Sequence, residues 1–139
     1  MRVDLTNVLV DDQEKAHKFY TEVLGFETKR DIPVPGGARW LTVVAPDRAG
    51  GVELLLEPDG NPAIQIAGQP AAQVFKKTLY DAGMPYTMFF TDDIQEEYAR
   101  LSGRGVKFTG EPAETMGGIS TVFDDTCGNL IGLMQVIDS

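Results

Sequence analysis

The chain has one cysteine, one histidine and one tryptophan, and 12 lysines and arginines against 21 aspartates and glutamates. Each scarcity removes a class of function. A single thiol, Cys127, forms no internal disulfide, and no thiolate cluster exists to hold zinc. The formal charge of −9 argues against nucleic acid and anionic membrane, both of which need a positive surface, and would attract cationic small molecules. No apolar run approaches the roughly 18 residues of a membrane span. Asp4 interrupts any signal-peptide core, so a reducing cytoplasm is the expected setting. No Ser-His-Asp set, Walker loop or dinucleotide fingerprint is present.

What the chain does have is a repeat. A length of 139 residues suits one domain. Residues 3 to 10 alternate loosely and end in valines, as a half-buried strand does. Asp11 and Asp12 follow, with Asp11 three residues before Glu14 as in a capping box. Ala16, Phe19, Tyr20, Val23 and Leu24 then recur at helical spacing, and Gly25 supplies the stop. Strands are predicted over 26–31, 39–45 and 52–57, giving β-α-β-β-β. A helix beginning at Pro70, with Ala71, Val74, Phe75, Thr78, Leu79 and Ala82 inward, connects to a second copy. There Asp92-Asp93 precedes Ile94, Tyr98 and Leu101 on a helix, followed by a short strand at 106–108 and strands at 119–123 and 130–137. At one constant offset Trp40 meets Ile119, Thr42 meets Thr121, and Val52-Glu53-Leu54 meets Ile131-Gly132-Leu133. Two copies of one unit predict paired modules, not a solenoid. The expected boundaries are 1–58 for the first module, 59–83 for the connection and 84–139 for the second.

Asp-Asp-x-x-x-Ala-x-x-Phe-Tyr-x-x-x-Leu-Gly-Phe at 11–26, the second Asp-Asp at 92–93, Gly105-Val106 and Asp-Thr-Cys-Gly-Asn-Leu-Ile at 125–131 resemble the vicinal-oxygen-chelate superfamily. This group is also called glyoxalase/bleomycin-resistance/dioxygenase. The resemblance covers nearly the whole chain. It implies an α+β fold of two βαβββ modules with pseudo-twofold symmetry, whose mixed sheets curl into a cleft, commonly completed in a homodimer. In enzymes of the group one divalent metal is bound by four residues. Carried over position by position, the first-strand ligand, seven residues before the capping aspartate, falls on Leu5, and its second-module match on Tyr86. The last-strand glutamate falls on Gly132, and the equivalent first-module position is Glu53. One donor of four is retained, so no metal and no other cofactor is expected at the family position.

Glu53 is the candidate catalytic residue, as a general base or as the partner of a cationic ligand. Asn7, Trp40, Tyr86, Met88 and Phe90 are expected to line an apolar, aromatic pocket, with Arg39 beside Trp40 able to stack on a planar or charged group. His17 lies off the helix's apolar stripe and is expected to face solvent. Cys127 is expected as a turn residue, and the Gly- and Pro-bearing segments 33–38 and 110–118 as covers or hairpins.

Two functional readings follow. One is metal-independent binding of a small organic molecule, serving sequestration or resistance. The other is a glyoxalase-type lyase, isomerase or dioxygenase, using Glu53 as base or a metal held elsewhere, for example by Asn7, Glu53 and Glu57. A third, a ligand-free interaction module, predicts a cleft filled by side chains.

Overall fold

The valines that end the first alternating run are the reason β1 (Leu5–Val10) sits inside: Val8 and Val10 are completely buried. Asp12 caps the following helix, its carboxylate accepting from Lys15 N–H at 3.0 Å, while Asp11 pairs with Lys15 Nζ at 2.8 Å. The cap is therefore Asp12 and not Asp11, and Glu14 turns outward to Arg39 instead of closing a capping box. Helix α1 (Gln13–Lys18) passes into a π-helical turn over Phe19–Val23, where a continuous α-helix was expected. Thr21 Oγ1 donates to the His17 carbonyl at 2.6 Å and competes with the regular ladder there.

Three antiparallel-linked strands follow: β2 (Glu27–Pro33), β3 (Arg39–Val44) and β4 (Glu53–Pro58). β4 also pairs in parallel with β1, so the first sheet has the order β1-β4-β3-β2. Val8, Val10, Leu41, Val43, Leu54 and Leu56 share one face, all of them buried, and α1 packs on the β3–β4 part of the sheet. Each such side chain contributes about 1.5–3 kcal/mol relative to exposure.

The loop after β4 contains a small hairpin, β5 (Gln65–Ile66) with β6 (Gln69–Pro70), where only loop was expected. Helix α2 (Ala71–Asp81) starts directly after Pro70. Its buried residue is Lys76, not the predicted Phe75, which is exposed. The reason is Asp59: the two charges lie 2.6 Å apart, and a buried ammonium is tolerable only when paired.

Contacts divide the chain into two units, Met1–Lys76 and the part from Lys77 onward, with the boundary inside α2. The structure describes residues 1–137 and is a computed structural model. The second unit repeats the topology with β7 (Thr87–Phe90), α3 (Ile94–Gly103), β8 (Ala113–Thr115), β9 (Gly118–Asp124) and β10 (Leu130–Val136), in the order β7-β10-β9-β8. Asp93 caps α3 as Asp12 caps α1, accepting from Glu96 N–H at 3.1 Å. The strand expected at 106–108 is reduced to a single bridge between Phe108 and Phe123. Phe108, half-buried, stacks edge-on against both Tyr98 of α3 and Phe123 of β9 and so ties the helix to the sheet.

Candidate functional site

A strand shows alternate residues to opposite faces, so the pairing registers decide what each sheet presents away from its helix. In the first unit Leu5 pairs with Glu53, Asn7 with Leu55 and Leu9 with Glu57, while Thr42 pairs with Leu55. Those residues therefore share the face opposite α1, together with Trp40. β2 adds Arg30, opposite Thr42, and Ile32, opposite Trp40. On this face Leu5, Ile32 and Trp40 are exposed, Trp40 to 41%, whereas Thr42, Leu9 and Leu55 are buried, so the open part is its β2–β3 side and the start of β1. The exposed side chains surround a polar cluster. Thr42 Oγ1 donates to Glu53 Oε1 at 2.7 Å, and Arg30 Nε donates to the same oxygen at 3.2 Å. Further along, Asn7 Nδ2 donates to Glu57 Oε1 at 3.4 Å, a weak contact.

Arg39 and Trp40, expected to meet a ligand together, are on opposite faces. Arg39 lies on the helix side, donating to Asp31 Oδ2 and Glu14 Oε2, both at 2.8 Å. Its guanidinium holds the Asp31 carboxyl below the usual carboxylate range, and the same hydrogen bond raises its own pKa. Gln13 clamps this corner, accepting from Arg39 N–H and donating to the Arg39 and Leu56 carbonyls. Arg39 is thus tied to α1 and β2. The arginine that does reach the open face is Arg30. Sequence reasoning passed over it because β2 reads as a uniformly polar, exposed strand, and only its bulge between Thr28 and Arg30 fixes which residues face which way.

In the second unit Gly132 pairs with Met88 and Val122, and Met134 with Phe90 and Ser120. Gln135 lies on the other face, where it accepts from Ile94 N–H at the start of α3. The face opposite α3 therefore carries Met88, Phe90, Val122, Leu130, Gly132 and Met134. Met88 and Phe90 are exposed on it. Tyr86 stands just before β7, half-buried, its N–H donating to the Leu130 carbonyl at 2.8 Å.

The registers also test the ligand positions. Met88 and Asn7 each precede their capping aspartate by the same interval, and the strand partner of Met88 is Gly132 whereas that of Asn7 is Leu55. The first-unit counterpart of Gly132 is consequently Leu55. Glu53, assigned that place from the sequence offset, lies two residues earlier on the same face. The four family positions are then Leu5, Leu55, Tyr86 and Gly132, a set with no carboxylate and no imidazole, which does not fit a divalent ion. At Gly132 a Cβ would already stand 3.3 Å from Met88 Cε. Among the described residues no three His, Cys, Asp or Glu side chains converge elsewhere.

His17 is half-buried and bonds Thr28 Oγ1 through Nε2 at 2.7 Å, on the helix side. Cys127 is fully buried in the turn before β10, where Asp125 accepts from the Cys127 and Asn129 N–H groups. No helix among the described residues is long and apolar enough to cross a membrane.

Comparison with known proteins agrees with this architecture. Residues 2–133 match the family model described as Glyoxalase/Bleomycin resistance protein/Dioxygenase superfamily. The protein YurT of Bacillus subtilis (strain 168) is 48% identical over 136 residues, which is 97% of this chain and 99% of YurT. The crystal structure of UcmS2 superposes with a TM-score of 0.80 at 31% identity, covering 96% of this chain and 97% of that one. TnmS3, an antibiotic binding protein from Streptomyces sp. CB03234, gives a TM-score of 0.73 at 33% identity, covering 99% and 97%.

Proposed function

We propose that this chain, which belongs to the Glyoxalase/Bleomycin resistance protein/Dioxygenase superfamily, binds a small organic molecule without a metal, on the open face of its first sheet. One observation carries the proposal: Trp40, Ile32 and Leu5 stand exposed around the Thr42–Glu53–Arg30 cluster. Apolar side chains clustered on a sheet face next to a few convergent polar groups are the usual make-up of a ligand surface. Neither unit keeps a carboxylate or imidazole at its family positions, Leu5 and Leu55 in the first and Tyr86 and Gly132 in the second, which supports metal independence. The similarity to TnmS3 supports sequestration as the purpose. Met88 and Phe90 offer a second, more apolar face of the same kind. A cytoplasmic homodimer is the form in which we expect the protein to act.

The test is a thermal-stabilisation screen against a broad small-molecule library, with metal analysis of protein purified without chelators. A bound ligand raises stability according to its concentration over its dissociation constant, so weak binders register. Hits that lose their effect in Trp40→Ala support the reading. A library without a single stabilising compound, or one tightly held ion per chain, refutes it.

One observation favours an enzymatic alternative of the glyoxalase type. Glu53 Oε2 has no hydrogen-bond partner among the described residues, which leaves one carboxylate oxygen open to a substrate proton. Turnover of a library hit that stops in Glu53→Gln would establish it.

A further inference from the structure

The acidity of the chain and the carboxylate of Glu53 suggest a cationic ligand, but the local geometry points the other way. Glu53 Oε1 already holds two donors, Thr42 Oγ1 and Arg30 Nε. Arg30 offers only its Nε to that contact. A guanidinium carries four more N–H bonds on its two terminal nitrogens, and those of Arg30 have no partner among the described residues. The Arg30 side chain is half exposed. In the antiparallel β2–β3 pair Arg30 lies opposite Thr42 and Ile32 opposite Trp40, so Arg30 and Trp40 are diagonal neighbours on one face. That diagonal spans roughly 7–8 Å, within reach of a long side chain and an indole.

Resting on the small-molecule reading above, we propose that Arg30 is the ligand anchor of this face. The ligand class is a flat aromatic molecule bearing an acidic oxygen group, a carboxylate or phenolate. Its ring lies against Trp40 and Ile32. Its anionic oxygens accept from the two terminal nitrogens of Arg30, the planar pairing for which guanidinium is suited and ammonium is not. Glu53 fixes the guanidinium by its Nε edge and turns the other edge outward. The global charge of −9 does not oppose this, because charges more than about 10 Å away are largely screened at ordinary ionic strength.

The test uses three probes that share the nitrophenyl ring and differ in the charge of its one small substituent: para-nitrobenzoate, para-nitrobenzyl alcohol and para-nitrobenzylammonium. Binding to the full chain is measured by calorimetry and by quenching of Trp40, the one tryptophan, which reports from the site itself. The benzoate is expected to bind about ten-fold more tightly than the ammonium, the size of one charge-assisted hydrogen bond at a partly exposed site. Arg30→Gln should cost the benzoate about ten-fold while leaving the alcohol within about two-fold, and Arg30→Lys should fall between because it keeps charge but loses the fork. Glu53→Gln, which keeps an acceptor for Thr42 and Arg30 but removes the like charge, should tighten the benzoate. Preference for the ammonium, or equal loss of all three probes in Arg30→Gln, overturns the proposal, as does an absence of binding by any of them. The library screen separates the two failures: stabilising hits without preference for anions sink the anchor alone, whereas no hits at all sink the binding reading with it.

Discussion

Replacing Lys76 with methionine isolates the buried ion pair that ties α2 to the end of β4. Lys76 Nζ and Asp59 Oδ2 are 2.6 Å apart, with side-chain exposures of 8% and 9%. Methionine keeps most of the aliphatic stem and removes the charge, so the change leaves Asp59 buried with a poor substitute. Its other side-chain donor, Gln73 Nε2, stands at 3.4 Å, too far for a strong bond. Removing one partner of a buried pair costs about 3–5 kcal/mol, because the remaining charge is stranded away from water. The weak Gln73 contact argues for the lower end, about 3 kcal/mol, a large fraction of the 5–15 kcal/mol that a domain typically has. For a chain of this size that lowers Tm by roughly 10 °C. Removing both charges, in Lys76→Met with Asp59→Leu, should return stability to within about 1 kcal/mol of wild type, since hydrophobic replacement of a whole buried pair is often neutral or better. Urea unfolding of the four proteins of the cycle gives the coupling energy directly. A loss below about 1 kcal/mol for Lys76→Met, or a double variant worse than either single one, would refute the account of why α2 buries a lysine in place of Phe75.

The twin caps make a paired prediction: Asp12→Ala and Asp93→Ala should each cost about 1 kcal/mol, whereas Asp11→Ala should cost little because its ion pair with Lys15 is exposed to solvent. Equal losses for Asp11 and Asp12 in denaturant titration would show that the cap is misassigned. Glycines in the second sheet should separate sharply. Gly132→Ala meets only the flexible end of Met88 and the Thr87 carbonyl at 3.3–3.5 Å and should cost under about 1 kcal/mol, while Gly118→Ala puts its Cβ into the Gln135 carbonyl and should cost more than about 3 kcal/mol. The Asp31–Arg39 contact predicts a pH effect of definite sign. The folded carboxyl titrates below its unfolded value of 3.8, so the pair stabilises fully above that value and its contribution disappears as pH falls through the folded one. Asp31 is partly exposed, so the loss in Asp31→Asn should stay below about 1 kcal/mol at neutral pH and vanish in acid, read by unfolding at both pH values.

Much of the fold was readable because local signals agreed. Two aspartate pairs at helix starts, an apolar stripe ending at Gly25, and strands bounded by Pro58 and by the glycine turns appear where the spacing put them, although the first cap is one residue later and the first helix closes in a π turn. The site was less readable, for two physical reasons. Strand side chains alternate, so Trp40 and its neighbour Arg39 could never meet the same ligand from one regular strand, and the aromatic took the open side. The residue that replaces Arg39 there, Arg30, sits on an edge strand with no apolar rhythm; its facing depends on a bulge, and a bulge of this kind leaves no mark in composition.

The displacement of Glu53 has a more instructive cause. A constant offset can carry one module onto the other only if every loop has the same length in both. It does not hold here: the connection from β3 to β4 spans residues 45–52, eight in all, and that from β9 to β10 spans residues 125–129, five in all. Three residues are lost across that one hairpin. The pairings absorb them by matching Thr42 to Val122 and Leu55 to Gly132, in place of Thr42 to Thr121 and Glu53 to Gly132. The first shift is by one residue and flips the face, which is why Thr121 lies on the side of α3 while Thr42, itself buried, reaches Glu53 on the face opposite the helix. The second is by two and preserves the face. Glu53 thus stays on the face opposite α1, but about 6.7 Å along the strand from the family position. A carboxylate in that place is free to hold Arg30, and the chemistry of the face follows from the arginine it orients.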